Sequence, residues 1–268
     1  MSSDPDTPDL PVRVFDPRNW QLVLGQARIS LAHSAEDLRA VQRLRALRFR
    51  GSETLSDLDR FDPDSLHLLL RRTGPGGAEP GDVIATARMR LHRNAAQLRQ
   101  GYAAQFYDLT TLATALCPCL EIGRLCIDTA HVQDPDGLRA MLAGISRVAL
   151  QGEAKLLLGC ASFAGADARQ HAPALAYLAA HHLGPAGQRP SPKTGCDAVD
   201  LASLRVQAAQ AGLRQVPKLL RLYLTLGGWV SDHAVVDREL DTVHVFTAVE
   251  IAQIPAPLLR SLQGLAQG

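Results

Sequence analysis

Six charged side chains and one phenylalanine are threaded through the first half of an otherwise apolar chain. They are Arg45 and Phe49 in RLRALRFR, Asp59 and Asp62 in DLDRFD, Arg88 in VIATARMRL, and Glu121 and Arg124 in CLEIGRLCID. The last two segments read as core strands, where an ionised group costs several kcal/mol unless it is paired or used. An active site is the most economical reason for such groups. Glu121 and Arg124 are three positions apart, so a regular strand would send them to opposite faces. A bulge would change that, and Gly123 between them is its natural place. A bulge also turns a backbone N–H out of the ladder, where it can bond a carbonyl or a developing oxyanion.

Each residue also has a plain structural reading. Glu121 and Arg124 would form a surface ion pair. Arg88 and Arg90 would share the wet face of a hairpin. Asp59 and Asp62 would belong to a solvated turn. Arg45 would be exposed on a helix, and Phe49 would be core. Their joint order along the chain is what points to a site.

The elements that must position these groups can be read from pattern. Residues 26–32 alternate as a strand, and Ser34 with Asp37 makes a box-like helix start. Leu38, Val41, Leu44, Leu47 and Phe49 supply an apolar stripe up to Gly51, and residues 51–65 form a polar loop. Strands are expected over 66–72 and 82–91, joined through the Gly-Pro-Gly-Gly turn at 74–77. Short helical pieces follow over 93–115. A strand over 119–127, a helix capped by Asp134 or Asp136 and running to about residue 150, and a strand over 154–163 form a crossover unit. It places the two strands side by side and parallel. Helices are expected over 173–182, 201–211, 217–226 and 255–265, with late strands at 229–230 and 242–249, and an exposed loop over 184–198. This order predicts an α/β fold: a mixed central sheet flanked by helices, with an elaborated helical C-terminal half. Residues 1–25 read as a loose tail and 26–268 as a single domain.

Composition narrows the class. The 268-residue chain is 46% hydrophobic, enough for a proper core, and its formal net charge of +1 argues against a general nucleic-acid binder. No apolar run reaches the ~18 residues of a membrane span, and the acidic, Pro-rich start lacks the basic and apolar regions of a secretory signal. Five cysteines without framework spacing suggest reduced thiols and a cytoplasmic location. Neither Cys117-Pro118-Cys119 nor His67, His181 and His182 have metal-pair spacing, so no metal is expected.

The seven residues, in sequence order, resemble the acyl-homoserine-lactone synthase branch of the Gcn5-related N-acetyltransferase (GNAT) superfamily. The tryptophan which that pattern places between the Phe and the first Asp is absent from residues 50–58 (RGSETLSDL). The rest of the chain is closer to a sister family, the bacterial ornithine N-alpha-acyltransferases. FDPDSLHLLL, VIATARMRL, LEIGRLCID, LLLGCASFAGAD, PKLLRLYLTLGGWV and DTVHVF carry that resemblance over roughly residues 28–250. It implies a GNAT-like fold and transfer of a 3-hydroxyacyl group from acyl carrier protein to the α-amine of ornithine, giving a lyso-ornithine lipid. The alternatives are another acceptor such as glutamine, acyl-homoserine-lactone synthesis, or a non-enzymatic peripheral lipid-binding protein.

Coenzyme A-using members of the superfamily cradle the pyrophosphate in a Gly-rich turn at a helix N-terminus. Here the segment is IDTAHVQDPDGLRAM, with one glycine and three aspartates. Such a loop suits a carrier-protein thioester as donor, with no separate cofactor. On this resemblance Glu121 is the base, its pKa raised by desolvation, and the bulge amide near Leu125 or Cys126 holds the thioester carbonyl. Attack would be direct; Cys126 has no adjacent His to support a covalent route. Arg124 or Arg88 would clamp the substrate carboxylate, and Asp59 and Asp62 would recognise a cationic side chain. Arg45 and Phe49 complete the substrate-binding set. The acyl chain would lie along Leu157 and Leu158. The acidic carrier protein would meet a basic patch, with Arg39, Arg43 and Arg50, or Arg90 and Arg93, or Lys218 and Arg221 as candidates. The last pair lies on an amphipathic helix that would also suit a peripheral place on the inner membrane surface.

Overall fold

The computed structural model describes residues 20–73, 80–132, 134–204 and 212–267. The strands are β1 (Gln21–Leu24), β2 (Ala27–Leu31), β3 (Leu66–Thr73), β4 (Pro80–His92), β5 (Tyr107–Asp108), β6 (Cys119–Ile127), β7 (Leu156–Ala164), β8 (Ser191–Pro192), β9 (Ala198–Asp200), β10 (Trp229–Asp237) and β11 (Thr242–Glu250). The helices are α1 (Ala35–Arg50), α2 (Ala95–Leu98), α3 (Thr110–Ala115), α4 (Pro135–Gln151), α5 (Ala172–His181), α6 (Lys218–Thr225) and α7 (Ala256–Gln267). Among the described residues the main sheet has nine strands in the order β1-β2-β3-β4-β6-β7-β11-β10-β9. Among these described strands only β6 and β7 form a parallel ladder, joined through the crossover helix α4. This is the expected mixed GNAT-like sheet.

Helix α1 starts as its sequence dictates. The Ser34 hydroxyl accepts the Asp37 N–H at 3.0 Å and the Asp37 carboxylate accepts the Ser34 N–H at 3.2 Å. Gly51, at φ 76°, ends it in the left-handed conformation. Val41 and Leu44 pack α1 onto one sheet face, against Leu69 and Val83. The alternate residues Leu68, Leu70, Ala85 and Ala87 face the other way, under Met141, Ile145 and Val148 of α4. Period two on the strands thus buries both faces. In the C-terminal half, Leu175 and Leu178 of α5 and Leu220 of α6 cover Phe163, Val243 and Val245 on the α4 side.

Three expectations change. Strand β1 lies within the stretch read as tail, and Trp20 and Leu22 are core residues; residues 1–19 lie outside the described residues. The late strand placed at 229–230 runs to Asp237. In the helix placed at 201–211, residues 201–203 form a 3-10 turn and 205–211 lie outside the described residues, as does the 74–77 turn.

The feature that matters for function is a split in the sheet. β6 and β7 pair only at Cys119↔Leu156, Leu120↔Leu157 and Glu121↔Leu158. Beyond that row β7 continues to pair with β11 as far as Ala164, while β6 leaves it. Gly159 sits where they part: a Cβ there would collide with the Ile122 carbonyl.

Candidate active site

At the head of the split stands Glu121, buried and lining a cavity of about 270 Å³. Its Oε1 accepts the Ala103 N–H at 2.6 Å. Its Oε2 accepts the Tyr102 N–H at 3.0 Å and, at 2.9 Å, the Nε2–H of the fully buried His92. A carboxylate has about four lone-pair positions. Three are filled here, which leaves one on Oε1. Burial alone would raise the Glu121 pKa, but His92 and the two amides outweigh it and hold the group below its usual value. The expected upward shift is therefore corrected: the carboxylate is ionised and oriented by its donors. Gly101 makes this possible, because a Cβ there would lie 2.6 Å from Oε2 and 3.0 Å from the His92 Nε2.

The bulge exists, one residue later than expected. Arg88 of β4 pairs with Gly123, and the register then slips before Thr86 meets Cys126. Arg124 takes the strained residue's part, at φ 51°, a region costly for a side chain with a Cβ. This turns its guanidinium back into the site, 5.1 Å from the Tyr102 ring centre and 5.5 Å from that of Phe49. Arg88 lies 5.4 Å from the Tyr102 ring centre. Burial pushes the Tyr102 phenol up to about 12.

Both arginines are tied to the loop 51–65 by a buried ion network. Arg45, fully buried on α1, donates from Nε to Asp57 Oδ2 at 2.9 Å. It also donates from Nη1 to Asp62 Oδ1 at 2.5 Å and from Nη2 to the Asp57 carbonyl at 2.6 Å. Arg88 Nη1 donates to Asp59 Oδ1 at 2.5 Å and to Asp62 Oδ1 at 3.2 Å. Arg124 Nε donates to Asp57 Oδ2 at 3.0 Å. Burial raises the Asp62 pKa, but Arg45, the Asp59 amide and Arg88 bring it down to about 2.

This network corrects the expected roles of the acidic loop. Asp59 and Asp62 hold arginines and are not placed to take a substrate cation. Neither they nor Arg45 line the cavity, whereas Phe49, Arg88, Glu121, Arg124 and Leu125 do. Arg45 is thus a loop anchor behind the site. Arg88 Nη2 is buried without a hydrogen-bond partner, a donor left over for a ligand.

Sequence reasoning missed Asp57, which joins Arg45 and Arg124. It also missed Tyr102, His92, Asp237, Thr242 and His244, of which all but His92 line the cavity. The Cys126 side chain packs under α1 with Ala40 and Val41, outside the cavity, and burial pushes its thiol up to about 12. A covalent role for it has no support.

The cavity runs through the split from one sheet face to the other. Tyr102, Glu121 and the arginines line one side. Leu157, Gly159, Leu220, Tyr223 and Val249 line the other, which is apolar. One opening offers donors for an anion and one acceptor for an amine, and the other suits a hydrocarbon chain.

A family model described as an acetyltransferase (GNAT) domain matches residues 41–143. An L-ornithine N(alpha)-acyltransferase from Rhodobacter capsulatus is 34% identical over 235 residues, covering 83% of this chain and 89% of that one. One from Brucella abortus is 28% identical over 247 residues, covering 86% of each. Among solved structures, an N-acyl amino acid synthase from uncultured soil microbes superposes with a TM-score of 0.49 at 12% identity, over 90% of this chain and 97% of that one.

Proposed function

The chain belongs to the L-ornithine N(alpha)-acyltransferase family, and from that premise we propose that it moves a 3-hydroxyacyl group from acyl carrier protein to the α-amine of ornithine, giving a lyso-ornithine lipid. The observation that carries this reading is the head of the β6–β7 split. There the open lone pair of Glu121, the bulge and two arginines meet one cavity with an apolar far end.

The amino acid carboxylate binds Arg88 and Arg124, whose planar forks suit it. Its α-ammonium donates to the open position on Glu121. The amine loses a proton to this carboxylate, directly or through water, and its lone pair attacks the thioester carbonyl. The N–C bond forms, and the developing oxyanion is held by the bulge amide of Leu125 or Cys126. Collapse breaks the C–S bond: the phosphopantetheine thiolate takes the proton held by Glu121, and the second proton of the attacking nitrogen passes to solvent, leaving the neutral amide. Because Glu121 is kept below the usual carboxylate range, it holds the proton only in passing. The acyl chain lies among Leu157, Leu158 and Leu220.

The donor assignment is supported by the start of α4. Asp134 caps it, its Oδ1 accepting the Asp136 N–H at 3.0 Å, and Asp134 also lies 3.5 Å from Arg72. A diphosphate would face Asp128, Asp134 and Asp136 there, whereas a carrier protein brings a single phosphodiester. Arg39, Arg43 and Arg48 are exposed along α1 and offer a basic landing for an acidic carrier. Among the described residues no helix is long and apolar enough to cross a membrane. The exposed Lys218 on amphipathic α6 suits delivery of an amphiphilic product to a membrane surface.

Purified protein given 3-hydroxyacyl carrier protein and ornithine should yield the N-acylated amino acid by mass spectrometry. Glu121→Gln should lower kcat by roughly 100-fold or more, as loss of a general base does. Absence of product with ornithine, or equal turnover with the matching acyl-coenzyme A, would overturn the assignment.

A further inference from the structure

Ornithine carries a second amine, and acylation uses only the first. Its side-chain ammonium must lie inside the same cavity, where an unpaired cation is costly. Asp57, Asp59 and Asp62 of the 51–65 loop are already committed to arginines. Among the described residues that line the cavity only two are acidic, Glu121 and Asp237.

Asp237 ends β10, is 8% exposed and pairs across the sheet with Thr242 of β11; Val235 pairs with His244. Period two puts Asp237, Thr242 and His244 on one face, the face that carries Glu121 and Tyr102. Asp237 Oδ1 accepts the N–H groups of Glu239 at 3.0 Å and Leu240 at 3.1 Å, and Oδ2 has no hydrogen-bond partner among the described residues. Thr242 Oγ1 and His244 Nε2 are buried without a partner as well.

The state of His244 follows from its neighbour. The Tyr107 hydroxyl lies 3.0 Å from both the His244 Nδ1 and the His244 carbonyl oxygen. A phenol has one proton, and the carbonyl can only accept it. Both contacts are satisfied when Tyr107 donates to the carbonyl and the Nδ1–H donates to Tyr107. Nε2 then carries a lone pair. Burial keeps the ring neutral, bringing its pKa down to about 4 against the pull of Asp237.

A primary ammonium has three donors and no acceptor. One carboxylate oxygen, one hydroxyl and one imidazole lone pair are three acceptors gathered at one end of the cavity. We infer that Asp237, Thr242 and His244 form the subsite for the side-chain ammonium of the acceptor, and so select a diamino acid over a neutral one. This inference rests on the proposed acylation of an amino acid in this cavity.

The test compares ornithine with norvaline, which has the same carbon skeleton without the second amine, on wild-type protein and Asp237→Asn. Asn keeps the oxygen that accepts the two turn amides and puts a neutral NH₂ donor in place of the free carboxylate oxygen. The KM for ornithine should rise roughly 10- to 100-fold, as expected for a lost hydrogen bond between charged groups, and the ornithine-over-norvaline ratio of kcat/KM should fall by the same factor. Asp237→Glu should recover part of it. Thr242→Val, which replaces the hydroxyl with a methyl of similar size on the neighbouring strand, should move the ratio in the same direction by a smaller factor and serves if Asp237→Asn does not fold. An unchanged KM for ornithine, or equal losses on both amino acids, overturns the subsite while leaving the acylation intact. A wild-type protein that does not acylate ornithine at all overturns both.

Discussion

Replacing Asp57 by Asn removes one negative charge from a point where three arginines converge. Oδ2 accepts Arg45 Nε at 2.9 Å and Arg124 Nε at 3.0 Å, and Oδ1 lies 3.4 Å from Arg50 Nε. The Arg45 and Asp57 side chains are both fully buried. In the variant the amide oxygen can serve one side of this set, and the NH₂ faces a guanidinium with nothing to accept it. Removing one partner of a buried ion pair costs about 3–5 kcal/mol, because the other charge stays buried and unpaired. That is a large part of the ~5–15 kcal/mol that holds a domain folded. Asp64→Asn is the control: this acid is 67% exposed and pairs with Arg90 at 3.1 Å, and such surface pairs are worth about 1 kcal/mol or less. Urea unfolding at neutral pH, followed by far-ultraviolet circular dichroism, should give a far lower midpoint for Asp57→Asn. Equal midpoints for the two variants would refute a structural role for the buried network.

Three further outcomes follow. Asp62 is held at about 2 against an ordinary 3.8, so its contribution is complete above pH 3.8 and is lost as pH falls through 2. That shift corresponds to about 2 kcal/mol, and urea midpoints taken between pH 5 and pH 2 should fall more steeply for the wild-type protein than for Asp62→Asn. Parallel pH curves for the two would contradict the pairing. Gly101→Ala would place a methyl 2.6 Å from Glu121 Oε2. It should lower kcat at least about tenfold, because a base displaced by 1 Å loses its alignment; unchanged turnover would mean the carboxylate position is not critical. Cys126, with its thiol pushed up to about 12 by burial, should resist iodoacetamide in the native protein, while the half-buried Cys117 reacts first. Peptide mapping that finds Cys126 modified as fast as Cys117 would count against its placement under α1.

The parts legible in the sequence were those with a local cause. The Ser34–Asp37 box and Gly51 mark both ends of α1 because each satisfies backbone groups of its own turn. Arg88 and Glu121 stood out because a charge on an apolar strand is costly anywhere in a fold. Asp57 was hidden for the opposite reason. It is one of three acids in SDLDRFD, and only the path of the loop over Arg45 decides which turn inward. The bulge was misplaced by one residue because glycine is the cheapest left-handed residue. Arg124 takes that conformation instead, held by Asp57 on one side and by the Phe49 and Tyr102 rings on the other. His244 was invisible as a site residue because it sits in a strand that reads as core, and Asp237 because the strand that carries it was expected to end at residue 230.

An acid is available to a ligand only after the cations of its own chain have been counted. Asp57, Asp59 and Asp62 look like a cation-binding loop in the sequence, but Arg45, Arg88 and Arg124 use all three. Two of those arginines then reach the cavity wall, so the acidic loop delivers positive charge to the site. A wall of that sign attracts a carboxylate and repels an ammonium within a few ångströms. On the proposed reading the side-chain amine of a diamino acid turns away from these arginines toward Asp237, on the same sheet face, which has no arginine paired with it among the described residues. In that reading the polar side of the cavity, with Arg88 and Arg124 for the carboxylate and Asp237 for the side-chain ammonium, orients the amino acid with its α-amine facing Glu121.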